Sequence, residues 1–138
     1  MKPSTILITF LFFICPLVSF SQYTLTIEIA DLRNNNGNVL YELFDKDHKS
    51  LKLGTETIKN KKSVIVIENL KPGKYGFNYI HDENKNRKLD TKMVIIPKEG
   101  YGYSNNVEAK FGPPAFEKWI FELKDNMKMF CTPTYLNY

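Results

Sequence analysis

Oxygen-bearing side chains recur at alternate positions in residues 82–90, a spacing that is suited to binding a calcium ion. Counted from the first aspartate, positions 1, 3, 5 and 9 are Asp82, Asn84, Asn86 and Asp90, and position 7 would contribute the backbone carbonyl of Lys88. In such loops the backbone turns around one cation, so that alternate side chains and one carbonyl point inward. The spacing therefore predicts a Ca²⁺ site with these five ligands.

Nearby charges predict that this site binds Ca²⁺ weakly. Three cationic side chains, Lys85, Arg87 and Lys88, accompany only two in-pattern carboxylates. We therefore expect a dissociation constant in the range of extracellular modules, about 10⁻⁴ to 10⁻³ M, unless Glu83 and Glu99 lie near enough to help. The alternative is that the aspartate and asparagine side chains cap their own backbone as Asx turns in a long connection between strands, which needs no metal.

A second candidate is the segment 97–119, which is dense in glycine, proline, asparagine and aromatic residues. Long loops of this composition often carry recognition when a rigid scaffold holds them. Its aromatic rings would stack on a glycan or a protein, and its amides would form hydrogen bonds. The candidate ligand-binding residues are Glu99, Tyr101, Tyr103, Asn105, Asn106 and Trp119. The alternative is that these aromatic side chains form the small core that a long loop needs when it folds over one end of a domain.

Catalysis has little support in the sequence. The two histidines, His48 and His81, are far apart, and neither has the short paired spacing of a zinc motif. No nucleophile elbow, phosphate loop, dinucleotide fingerprint or H-E-x-x-H motif is present. A hydrolase would have to place His81, Glu99 and a further carboxylate around one concave pocket. We therefore predict a protein that is not an enzyme, with a cryptic hydrolase as the remaining alternative.

The first 21 residues predict a secretory signal peptide. Lys2 precedes an apolar run at residues 6–14, and Ser19 and Ser21 supply the small residues of a cleavage site. The apolar run has about half of the roughly 20 residues that a membrane helix needs, and Pro16 follows it. We expect cleavage before Gln22, one domain over residues 22–138, and export to the periplasm, the cell surface or the medium.

The net charge of the chain argues against a nucleic-acid partner. Loss of Lys2 with the signal lowers the net charge of the chain from +4 to +3, and the basic runs are short and lie at predicted turns. This pattern predicts no nucleic-acid binding.

After cleavage of the signal peptide Cys131 is the only thiol, so an intramolecular disulfide is excluded and we expect Cys131 to be a buried structural residue.

Alternation of apolar and polar residues predicts strands along most of the chain. Residues 23–29 and 39–44 flank an asparagine- and glycine-rich turn, so we expect them to form a hairpin. Further strands are predicted at 64–67, 75–79 and 118–123, and one between 127 and 136. The pattern indicates an all-β fold: a single antiparallel β-sandwich of about seven strands, immunoglobulin-like or transthyretin-like, with a long aromatic-rich loop.

Several motifs together resemble a bacterial family called domain of unknown function 2141. They are HDENKN at 81–86, PKEGYGYSNN at 97–106 and FGPPAF at 111–116, while LKPGKY at 70–75 looks like the turn before a strand in transthyretin-like sandwiches. The resemblance covers essentially all of residues 22–138. It implies a secreted or periplasmic β-sandwich of unassigned activity.

The chain departs from the pattern of this family within the predicted calcium loop. Family members tend to carry glycine at the sixth position of the loop, where this chain has Arg87. A glycine there permits a sharp turn, whereas an arginine strains the backbone and places a cation beside the site. The twelfth position is Met93, so the bidentate carboxylate of an EF-hand loop is also missing. Both departures favour weak binding.

Overall fold

Two β-sheets face each other across one hydrophobic core. The computed structural model describes residues 21–109 and 112–136, so the predicted signal peptide lies outside the described residues except for Ser21. Within them the strands are β1 Tyr23–Ile29, β2 Asn38–Asp45, β3 Ser50–Glu56, β4 Ser63–Leu70, β5 Gly73–Asp82, β6 Thr91–Lys92, β7 Ile96–Pro97, β8 Gly100–Tyr103, β9 Phe121–Leu123 and β10 Met127–Cys131. Short 3-10 helices cover Ser104–Asn106 and Phe116–Lys118.

The first sheet has the strand order β10-β1-β4, and the second has the order β3-β2-β5-β8. The long strand β5 pairs with β8 along one stretch and with β9 along another. All pairs are antiparallel except β1 with β10, which is parallel. Strands β6 and β7 form a separate two-stranded hairpin.

The core forms because successive side chains of a strand point to opposite faces of its sheet. Alternate residues of β1, including Leu25 and Ile27, are buried against Ile65 of β4 and against residues of the second sheet such as Leu43 and Phe77. The predicted all-β, sandwich-type fold is therefore confirmed. Cys131 is buried as expected, and burial raises the pKa of its thiol to about 12, which keeps it unreactive.

The expected hairpin between the first two strands is wrong. Strand β1 pairs with β4 and β10, while β2 pairs with β3 and β5, so the two strands lie in different sheets. The connection between them crosses from one sheet to the other and buries Leu32 on the way. Gly37 has φ 73°, and its Cα lies against the backbone of Asp82. Turn residues therefore marked a change of direction correctly, but they carried no information about which strands pair.

Two other strands differ from expectation. The strand predicted at 118–123 begins only at Phe121, because Phe116–Lys118 form a 3-10 helix that brings Trp119 into a buried position. Strand β3 was not predicted. It lies at the edge of its sheet with mostly exposed side chains, so burial imposes no alternation on its sequence. Among the described residues no helix is long and apolar enough to cross a membrane.

Candidate calcium loop and outer-face groove

Strand β5 leads directly into the predicted calcium loop and ends at Asp82. The carboxylate of Asp82 is buried and accepts hydrogen bonds from the backbone N–H groups of Asn86 (3.0 Å) and Arg87 (2.8 Å). A carboxylate that satisfies two backbone donors fixes the path of the chain. Asp82 therefore holds the turn in which the other candidate ligands lie.

Three of the other candidate ligands converge on one point. The side-chain amides of Asn84 and Asn86 donate to the two carboxylate oxygens of Asp90, at 2.6 Å and 2.9 Å. Their amide oxygens accept from backbone N–H groups two residues further on, Asn84 from Asn86 (3.1 Å) and Asn86 from Lys88 (2.9 Å). The loop is thus closed by the Asx turns of the metal-free alternative. A cation here would have to turn the amide oxygens toward Asp90.

Glu99 supports the loop from the neighbouring segment. Its buried carboxylate accepts from the backbone N–H of Glu83 (2.8 Å) and from that of Asp90 (3.0 Å). The carbonyl of Asp90 in turn accepts from the N–H of Lys98 at 2.8 Å. The structure therefore brings the 82–90 loop and the segment after 97 together, and Glu99 binds backbone there. Within the described residues no group of three or more His, Cys, Asp or Glu side chains could hold a metal ion.

The aromatic candidates of the 97–119 segment are largely buried. Tyr101 and Trp119 are only 7% and 2% exposed, and Tyr103 is half-buried with its ring centroid 5.1 Å from that of Trp119. The hydroxyl of Tyr101 donates to the carbonyl of Ala109 at 2.7 Å, and the indole of Trp119 donates to that of Pro114 at 3.3 Å. This burial favours the alternative in which these rings form the core of the loop.

The two asparagines of this segment are exposed but are engaged by the protein itself. Asn105 donates to the carbonyl of Ile120 at 3.0 Å. Asn106 donates to the carbonyl of Phe130 at 2.9 Å and accepts from the N–H of Thr132 at 3.1 Å. Both side chains therefore join strands β8, β9 and β10 at their ends. Phe111, part of the FGPPAF motif, lies outside the described residues.

Both ring nitrogens of His81 have hydrogen-bond partners within the protein. Its Nε2 lies 2.8 Å from the carbonyl of Asn36, and its Nδ1 lies 2.7 Å from the hydroxyl of Tyr135. Because a carbonyl only accepts, Nε2 carries the hydrogen, and Nδ1 can accept from the tyrosine. Both ring nitrogens of this fully buried residue are thereby satisfied. Neither His81 nor Glu99 lines the two cavities described at the surface of the second sheet.

One of these cavities is a groove that the sequence did not reveal. It has a volume of about 500 Å³ and lies on the outer face of the second sheet, over β2, β3 and β5. We call it the outer-face groove, and its lining includes Leu40, Glu42, Leu53, Thr55, Asn78, Ile80 and Arg87. The groove could not be predicted from the sequence, because it depends on how β2, β3 and β5 pair, and the alternation pattern did not predict β3.

Arg87 connects the loop with this groove. Its backbone has φ 62°, the left-handed conformation that glycine adopts most readily, so the strain expected from the loop position is present. Its side chain lines the groove together with that of Glu42. Neither Arg87 nor Glu42 has an ion-pair partner in residues 21–109 or 112–136. The sequence signal that could have pointed to this role of Arg87 was an arginine at a loop position that favours glycine.

A family model matches most of the chain. The family is described as "Uncharacterized protein conserved in bacteria (DUF2141)", and the match covers residues 27–130. This range runs from β1 into β10 and contains both the 82–90 loop and the outer-face groove. The resemblance seen in the motifs is therefore confirmed. A search of the curated proteins finds no match.

Proposed function

Because the chain belongs to the DUF2141 family, whose description assigns no reaction, we propose that it is an exported, non-enzymatic domain that binds a small ligand in the outer-face groove. The observation that carries this proposal is a pair of charges, Glu42 and Arg87, that have no ion-pair partner among the described residues and line a groove of about 500 Å³. Ligand sites in proteins typically have volumes of roughly 300 to 1,000 Å³ and combine an apolar lining with a few polar groups.

The lining indicates the chemistry of the ligand. Leu40 and Ile80, which face each other on β2 and β5, form an apolar floor, and Glu42 faces Asn78 one side-chain step further along the strands. Such a step is about 7 Å, so the floor suits a ligand the size of a dipeptide or a monosaccharide. The guanidinium of Arg87 matches a carboxylate. A ligand with a carboxylate at one end and an amine or hydroxyl groups at the other fits both charges.

Calorimetric titration with two ligand panels tests this proposal. One panel holds dipeptides and short peptides, and the other holds uronic acids and their oligomers. We expect a member of one panel to bind and Arg87→Gln to weaken that binding about tenfold or more, because the substitution removes a charge-assisted hydrogen bond. Glu42→Gln should weaken the binding of an amine-bearing ligand in particular.

Lys85→Gln is the matched control for the titration. Lys85 is an exposed cation of the same loop and also has a left-handed backbone, φ 60°, but it does not line the groove. Its substitution should leave the affinity unchanged. The proposal is wrong if no member of either panel binds, or if Arg87→Gln and Lys85→Gln behave alike.

We propose weak Ca²⁺ binding as a second function, because Asn84, Asn86 and Asp90 lie within hydrogen-bond distance of each other and a rotation of the two amide groups would present their oxygens to a cation. Such a site would order the end of the sandwich next to the groove. We expect millimolar Ca²⁺ to raise the melting temperature relative to EDTA, because a ligand that binds only the folded state stabilises it. At ten times the dissociation constant the gain is about 1.4 kcal/mol. Calorimetric unfolding measures it.

Asp90→Ala is the decisive variant in that calorimetric experiment, since it should abolish the Ca²⁺-dependent rise. Asp82→Ala should abolish the rise as well, but it should also lower the melting temperature in EDTA, because two backbone donors lose their acceptor. Asp125→Ala, at an exposed position outside the loop, should leave the rise intact. A melting temperature that Ca²⁺ does not change would identify the loop as a hydrogen-bonded turn.

A further inference from the structure

The β6–β7 hairpin carries an apolar tip of three consecutive residues. Met93, Val94 and Ile95 are 78%, 88% and 78% exposed. Isolated apolar side chains on a surface are ordinary, but three adjacent ones at the end of a projecting hairpin form one continuous apolar point. The fold gains little burial from them.

The backbone at this tip is also unfavourable for the residues that occupy it. Met93 has φ 51° and Val94 has φ 71°, both in the left-handed region. Glycine and asparagine adopt this conformation readily, whereas a β-branched residue there is a genuine outlier. Strained positions that persist in a structure are often connected with a function. Neither burial nor backbone preference accounts for valine at position 94.

The base of the hairpin is held firmly, so the tip has a defined position. Ile96 and Pro97 are half-buried, and the backbone N–H of Lys98 donates to the carbonyl of Asp90. A cavity of about 180 Å³ separates the hairpin from Tyr101 and Tyr103 of β8. The tip thus projects from the same end of the domain as the 82–90 loop.

The chain segment that contains the tip carries exposed positive charge. In residues 82–99 the basic side chains are all exposed, and the acidic ones are all buried or half-buried. The exposed cations are Lys85, Arg87, Lys88, Lys92 and Lys98. Each of the acidic residues, Asp82, Glu83, Asp90 and Glu99, accepts a hydrogen bond within the protein. Within residues 82–99 the exposed charges are therefore all positive.

We propose that the apolar tip inserts into the surface of an anionic phospholipid membrane, with the surrounding lysines on the lipid headgroups. An apolar point buried at the acyl boundary and flanked by lysines satisfies both terms of interfacial binding, hydrophobic burial and attraction to anionic lipid. A pocket of a protein partner would accommodate the apolar residues, but five exposed cations and no exposed carboxylate within residues 82–99 fit an anionic surface better. The proposal depends neither on the groove nor on Ca²⁺.

Vesicle co-sedimentation tests this proposal with protein produced from the full 138-residue chain, its N-terminus identified by mass spectrometry. We expect binding to vesicles that contain phosphatidylglycerol and little binding to pure phosphatidylcholine. The tip variant Val94→Ser with Ile95→Ser should bind at least about tenfold more weakly, since it removes two aliphatic side chains from the lipid. Lys88→Gln with Lys92→Gln should weaken binding to the anionic vesicles and reduce its dependence on salt.

Two controls separate insertion from general adhesion. Val64→Ser with Val66→Ser removes two aliphatic side chains that are about half exposed on the opposite sheet, and it should not change vesicle binding. In Val94→Trp, the new indole should shift its emission to the blue on anionic vesicles and be quenched by brominated lipid, against the constant signal of buried Trp119. The proposal is overturned if the wild-type protein does not bind anionic vesicles, if the tip variant binds as the wild type does, or if lipid charge has no effect.

Discussion

At the scale of single residues, the sequence indicated backbone conformation better than side-chain contacts. At Arg87 the sequence implied a strained backbone, because glycine is favoured at its position in the loop, and the residue has φ 62°. The position of its side chain in the outer-face groove was not predictable, because the groove is formed by the pairing of β2, β3 and β5. Local patterns report backbone conformation at a residue, whereas contacts across strands depend on the whole sheet.

Gly102→Ala should destabilise the protein by about 1 to 3 kcal/mol. Gly102 faces Tyr79 across the β5–β8 pair, and a Cβ at this position would meet the ring of Tyr79 at 2.3 Å. Gly73→Ala is the matched control on β5, where the nearest atom to a Cβ would be at an ordinary 3.6 Å. Urea unfolding of both variants measures the difference in the free energy of unfolding. Equal stabilities would show that the Tyr79 ring moves without cost.

At the scale of elements, the strands whose faces differ in burial were predictable. Strands β1, β2, β4 and β5 alternate because each has one face in the core. Strand β3 lacks this signal because both of its faces are largely exposed. Pairing was not predictable, as the wrong β1–β2 hairpin shows, because alternation is the same whichever sheet a strand joins.

Ser104→Ala should cost about 1 to 3 kcal/mol through its effect on β5. Strand β5 is paired with β9 up to Tyr75 and with β8 from Asn78, and in the interval the N–H of Phe77 donates to the Ser104 hydroxyl at 3.1 Å. That hydroxyl donates in turn to the carbonyl of Trp119. Alanine would leave a buried N–H without an acceptor.

Urea unfolding compares Ser104→Ala with Ser50→Ala, at an exposed position of β3. A cost for Ser104→Ala no larger than that of the control would mean that the backbone of β5 finds another partner.

At the scale of the whole molecule, the class of fold followed from the sequence, but the placement of its sites did not. Alternating strands and the absence of a helical stripe were enough for a sandwich. The joining of the 82–90 loop to β8 through Glu99 required the tertiary structure.

Glu83 should lose its contribution to the stability of the protein in acid. Burial would raise the pKa of Glu83, but hydrogen bonds from Arg33 and Asn34 outweigh burial and hold the pKa below its ordinary 4.5. Because the folded-state pKa is the lower one, the contribution of Glu83 to stability is present above about pH 4.5 and is lost as the pH falls through the folded value. The stability difference between the wild type and Glu83→Gln should therefore shrink from about pH 7 to about pH 3.5.

Urea unfolding across this pH range measures that difference. Glu68→Gln, at an exposed position of β4, serves as the control for replacing a glutamate by glutamine, and the Glu83→Gln difference is compared with it at each pH. A difference for Glu83→Gln that does not depend on pH would contradict the prediction.

The parallel pairing of β1 with β10 has a consequence for the order of folding. Strand β1 lies between β4, which follows it in the chain after β2 and β3, and β10, which comes close to the end of the described residues. Contacts so distant along the chain form slowly, because a large loop must close first. A partly emerged chain therefore presents one unpaired edge of β1 to its surroundings. That edge of β1 stays open to self-association until β10 has been synthesised and pairs with it.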